Sequence, residues 1–192
     1  TFWYRAAAGF SGIDSFTYRA TDGENVSTVT TVTFTVDRPA SIDYQALVWN
    51  LPEHQTLTSP LQVGTVGIID DGIGTNTVTL TGPDAALFEL DADNKLFLKS
   101  GLTIDFSVQT QFEVTINLDD PLIAGSPDAS QTLIFTVLDL NEPPTVTALP
   151  DVVLLEDAPV GTISTSFAFS DPNGDPLTYT VQVVSQKPGL IQ

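Results

Sequence analysis

Apolar and polar residues alternate along much of this chain. Phe16, Tyr18 and Ala20 alternate with Thr17, Arg19 and Thr21, and Val32, Phe34 and Val36 alternate with Thr31, Thr33 and Thr35. Phe112, Val114, Ile116 and Leu118 repeat the pattern, as do Leu177, Tyr179, Val181 and Val183. A period of two turns one face of each run toward a core and the other toward water. Gly, Pro, Asn and Asp turns separate the runs, so the pattern predicts an antiparallel all-β sandwich. "PDAALFEL" from Pro83 reads as a turn leading into a strand, and "DADNK" at 91–95 as a hairpin turn. Trp49, in "LVWN", reads as a core residue, and His54 as an exposed strand residue.

Two breaks divide the chain. "VDRPAS" at 36–41 and "DLNEPP" at 139–144 each follow a strand-like run, about a hundred residues apart, which suits one sandwich. Residues 40–144 are therefore expected to form a complete domain. Residues 1–39 are expected to be the C-terminal part of one repeat, and 145–192 the N-terminal part of another. Joined tail to head, the flanks make one further unit of about 87 residues, as a piece of a tandem array would. No targeting segment opens the chain, which on this reading says nothing about location.

Charge narrows the chemistry. The 192 residues hold 24 acids and 6 bases, a net charge of −18. Residues 1–39 carry 4 acids and 3 bases, 40–144 carry 15 and 2, and 145–192 carry 5 and 1. The acid is concentrated in the middle unit. That balance excludes nucleic acid and anionic membrane surfaces as partners and favours metal cations. No apolar run is long enough to insert in a membrane as a helix. Cys is absent and His54 is the one imidazole, so thiol catalysis and thiolate metal sites are excluded. Clustered carboxylates repel one another without a counter-ion, and calcium accepts six to eight oxygen ligands in irregular geometry.

The middle unit resembles a cadherin repeat of the kind found in long bacterial surface proteins. The resemblance is carried by "LPE" (51–53), "DDGIGTN" (70–76), "FELDADNKLFLKSGLTID" (88–105), "FEVTINLDD" (112–120) and "DLNEPP", in that order. The flanks, with "FSDPNGDPLTYT" and "GIDSFTYRATDG", resemble the cadherin-like or dystroglycan-type repeats that alternate with such domains in adhesins. The resemblance implies tandem Greek-key β-sandwiches of cadherin or immunoglobulin type. It implies calcium held at the junctions between them.

Carried over by motif, Glu53, Asp105, Asp139 and Glu142 would be side-chain ligands, with Asn141 giving a backbone oxygen. Asp171, Asn173 and Asp175 would approach the same junction from the following unit. At the other end Asp70, Asp71 and Asp119 would face the first fragment, with Asn76 as a carbonyl donor. Three departures qualify this. Ser107 stands where a glutamate belongs, Glu142 replaces an aspartate, and the first linker keeps only Asp37, with Arg38 in an acid's place. On that comparison the first junction should hold weak ions or none, and Asp37→Ala should hardly matter.

The resemblance further implies a calcium-stiffened spacer or adhesion segment of an extracellular, cell-surface protein. Its partners would be calcium ions, neighbouring repeats, and homophilic or glycan contacts. The alternative is a carbohydrate-binding or passive accessory module of a secreted polysaccharide-processing protein, which would want an exposed aromatic platform. "DPNGDP" at 171–176 has the opening oxygen spacing of an EF-hand loop, but Pro176 and Gln182 occupy its Gly and Glu positions. That turn, and "DDGIGTN", read equally as plain Asn- and Asp-rich turns. "NVS" at 25–27 matches a glycosylation acceptor, which a bacterial source would leave idle. "GFSG" is not a nucleophile elbow, and no enzyme is expected.

Overall fold

The computed structural model describes residues 2–148 and 168–180. Backbone contacts group residues 1–138 into one compact unit and 139–192 into another.

The first unit opens with a hairpin. Strands β1 (Gly12–Tyr18) and β2 (Thr30–Val36) pair antiparallel, Gly12 opposite Val36 and Tyr18 opposite Thr30. Phe34 stacks on Tyr4 at 4.3 Å and on Phe16 at 5.7 Å.

The chain then builds two four-stranded sheets. One has the order β3 (Ser41–Ala46), β6 (Leu61–Ile69), β9 (Lys95–Leu98), β8 (Phe88–Leu90). The other has the order β4 (Asn50–Pro52), β12 (Ala129–Leu138), β11 (Gln111–Asp119), β7 (Thr77–Thr81). Short strands β5 (Gln55–Thr56) and β10 (Thr103–Ile104) pair beside them. All pairings are antiparallel except β4 with β12, because residues 47–49 carry the chain from one sheet to the other. Between the sheets lies one core, with Val63, Leu96 and Leu98 from the first and Phe112, Val114, Ile116, Leu133 and Phe135 from the second. Burying such side chains contributes roughly 1.5–3 kcal/mol each.

Alternation explains β11, where Phe112, Val114, Ile116 and Leu118 are buried and the intervening residues are not. A register shift between Gln62 and Gly64 explains β6, letting Val63 and Val66 both turn inward despite their odd spacing. Gly64 is required there, because the Tyr44 ring lies where a Cβ would stand, its hydroxyl donating to the Val63 carbonyl at 2.9 Å.

"PDAALFEL" is a short 3-10 turn, Ala85–Leu87, running into β8. Trp49 differs from expectation: it is 45% exposed and stacks on Phe135 at 5.6 Å, because the crossing segment leaves it at the rim of the core. His54 stands in a turn with φ of +62° rather than in a strand.

In the second unit, β13 (Thr145–Val146) pairs antiparallel with β14 (Phe169–Ser170). No strand forms over 177–180, and positions 181 and 183 of that alternating run lie outside the described residues.

Candidate metal centre

The pairings place the end of β2, the β6–β7 loop and the β11–β12 loop at one end of the sandwich. Asp37, directly after β2, lies among them. Its carboxylate, Asp70 and Asp71 each offer an oxygen within 4.8 Å of the others. Among the described residues this is the group of three acids close enough to share an ion. Both Asp37 oxygens are shielded from solvent and have no hydrogen-bond partner.

Local geometry fixes the neighbours. Asp70 Oδ2 accepts the Gly72 N–H at 3.2 Å, and Asp71 Oδ1 accepts the Ile73 N–H at 3.0 Å. Asp71 Oδ2 accepts the Arg38 N–H at 3.2 Å, tying the first linker to the loop. Asp120, 2% exposed, braces the same loop from beneath. Its Oδ2 accepts the Thr75 N–H at 2.6 Å, its Oδ1 accepts the Leu122 N–H at 2.8 Å, and its own N–H donates to Asp128. Gly74, with φ of +82°, sits against that carboxylate, and any Cβ there would strike it.

The electrostatics follow. Burial, then the Asp120 and Asp71 charges, push the Asp37 carboxyl above its ordinary range; the nearby Arg38 N–H opposes them, and Asp70 adds a smaller upward push. Burial also raises Asp71. Hydrogen bonds from Ile73, Ser11 and Arg38, with the Arg38 charge, outweigh it and hold Asp71 below its ordinary range.

Asp119 lines a groove with Thr77, Thr79, Asn117, Ser126 and Pro127, and its Oδ1 is buried without a hydrogen-bond partner.

Glu53, directly after β4, and Asp105, directly after β10, occupy the opposite end of the sandwich. Glu53 is 4% exposed, and its Oε2 accepts the Phe106 N–H at 2.9 Å. The Ser107 hydroxyl, at 2.6 Å, is the main influence holding Asp105 below its ordinary range, and outweighs the effect of burial. The residue standing in a glutamate's place thus serves the acid beside it.

Asp139, Asn141, Glu142, Asp171, Asn173 and Asp175 lie in the second unit. Asp171 Oδ1 accepts the N–H groups of Asn173 and Asp175 at 3.0 and 3.2 Å, which shapes the turn. The Asn173 side chain reaches the 139–142 segment, and Asn141 is exposed.

Sequence reasoning left Asp37 and Asp120 out of the ligand set. Asp120 was readable, since it continues the inward parity of Phe112, Val114, Ile116 and Leu118 while Asp119 shares the outward face of Asn117. Asp37 was not, because its closeness to Asp70 and Asp71 exists only in three dimensions.

No protein-family model matches the chain. Over 85 residues, 43% of this chain, it is 31% identical to chicken Cadherin-1, of whose length those residues are 10%. Among solved structures, the extracellular cadherin domains 1–4 of protocadherin gamma B7 align over 83% of this chain and 41% of that one, at 24% identity and a TM-score of 0.47. The first two extracellular domains of chicken VE-cadherin align over 62% of each chain, at 16% identity and a TM-score of 0.33. The chain carries a cadherin-like repeat in an all-β sandwich fold.

Proposed function

We propose that this chain is an extracellular adhesion-type module that binds calcium at one end of its sandwich and is stiffened there toward the preceding repeat. One observation carries the reading: the Asp37 carboxylate is buried, without a hydrogen-bond partner, within 4.8 Å of Asp70 and Asp71. A buried charge without a partner is strongly disfavoured, and a cation relieves that cost for all three acids at once. The donors are all hard oxygens, as calcium requires, with Asp120 adding its charge from beneath. Glu53 and Asp105 offer a smaller acid pair at the other end. On this reading residues 40–144 are one complete repeat, and the segments before and after belong to its neighbours. The role is non-catalytic, with calcium, adjoining repeats and a second cell-surface molecule as partners.

Calorimetric titration of the chain with calcium chloride tests this. The expected result is binding with a Kd of about 0.1–1 mM, in the range of extracellular modules, weakened by Asp71→Asn. Absence of binding heat, with a melting temperature indifferent to calcium, would overturn it.

A further inference from the structure

The acids of "DLNEPP" and "DPNGD" are arranged differently from those around Asp37. Asn173 makes three hydrogen bonds to the 139–142 segment. The Glu142 N–H donates to its Oδ1 at 2.7 Å, while its Nδ2 donates to Asp139 Oδ1 at 2.6 Å and to the Leu140 carbonyl at 3.1 Å. The orientation of the amide is forced. Only its oxygen can accept from the Glu142 N–H, so the NH2 group must face the carboxylate and the carbonyl. The backbone beneath is fixed too. Asp171 Oδ1 accepts the Asn173 and Asp175 N–H groups, the Gly174 N–H donates to the Asp171 carbonyl, and Gly174 takes a φ of +78°.

A carboxylate oxygen and a carbonyl oxygen converging on one point are what a hard cation would coordinate. Here two polarised N–H bonds of one neutral side chain meet them. The donor bonded to a carboxylate is the charge-assisted, shorter one of the two, as its 2.6 Å length shows. An aspartate at 173 would keep the Glu142 bond but present a third oxygen to the other two. Its charge would then add to that of Asp139, and only a cation could hold the three together.

We propose that Asn173 is a hydrogen-bond latch that orders the 139–142 segment on the 171–175 turn without a metal ion, and that this one side chain decides the ion independence of the segment. The latch is separate from calcium binding at Asp37, Asp70 and Asp71 and stands or falls without it.

Residue-resolved amide hydrogen exchange on the full chain tests the proposal, in chelator and in about 5 mM calcium. For the wild type, protection of the Glu142 N–H should be the same in both conditions. Asn173→Ala should speed its exchange about tenfold in both, the scale of one or two lost hydrogen bonds. Asn173→Asp should exchange fast in chelator and recover in calcium. The Val137 N–H, in the sandwich, should stay protected in every variant, which separates loss of the latch from unfolding. Wild-type protection at Glu142 that vanishes in chelator would overturn the proposal, as would an Asn173→Ala variant that exchanges like the wild type. An Asn173→Asp variant indifferent to calcium would show that residue 173 does not set the ion dependence.

Discussion

Replacing Asp37 by asparagine keeps the shape of the side chain and removes one negative charge from the acid set. Two opposite effects follow, separated by the presence of calcium. Without calcium, burial and the charges of Asp120 and Asp71 hold the Asp37 carboxyl above its ordinary range. A raised carboxyl contributes its full stability below its ordinary range and loses it as pH rises through the folded value, so at neutral pH the ionised Asp37 weighs against folding. The neutral amide of the D37N variant carries no such cost and gives the neighbouring carboxylates a donor. In chelator at pH 7 the D37N variant should therefore melt at or above the wild-type temperature. With calcium the order reverses. At calcium tenfold above Kd, binding stabilises the wild type by about 1.4 kcal/mol, and a tenfold weaker variant gains only about 0.4 kcal/mol. For a unit of this size 1 kcal/mol moves the melting temperature by roughly 3–6 °C, so the calcium shift should fall from about 6 °C to about 2 °C. Differential scanning calorimetry in chelator and in calcium measures both arms. Equal calcium shifts in the two proteins, or a D37N variant less stable than wild type in chelator, would refute the reasoning.

Three further outcomes follow from the geometry. Phe135→Ala empties a fully buried ring position packed against Trp49 and Phe88, and should cost about 3–5 kcal/mol in urea denaturation. Gly64→Ala forces its Cβ into the Tyr44 ring; a loss of roughly 1–3 kcal/mol, with lost protection of the Val63 region in hydrogen exchange, is expected. Ser107→Ala removes the hydroxyl that does most to depress Asp105. The stability owed to a depressed carboxyl is present above about pH 4 and is lost as pH falls through the folded value. Acid unfolding of the Ser107→Ala variant should therefore begin at higher pH, as followed by circular dichroism.

The strands of the sandwich were legible because each is a local pattern: alternation in 112–118 needs no partner to be seen, and Gly, Pro and Asp mark the turns between. The cadherin-like order of motifs was legible for the same reason. Less local features were not. The half-exposed Trp49 depends on where the chain crosses between sheets, and the extra residue in β6 depends on what Tyr44 covers.

The acids divide along this line. Sequence by itself placed many of the carboxylates at turns and linkers, because Asp and Asn side chains favour turn conformations. It could not decide which carboxylates converge. "VDRPAS" reads as the poorer linker, yet folding swings Asp37 against Asp70 and Asp71, more than thirty residues along the chain. "DLNEPP" reads as the richer one, yet the Asp139 carboxylate is met by the amide of Asn173. Composition counts charges, whereas distance and the presence of a neutral donor decide whether those charges need an ion, and both are set only when the loops are brought together.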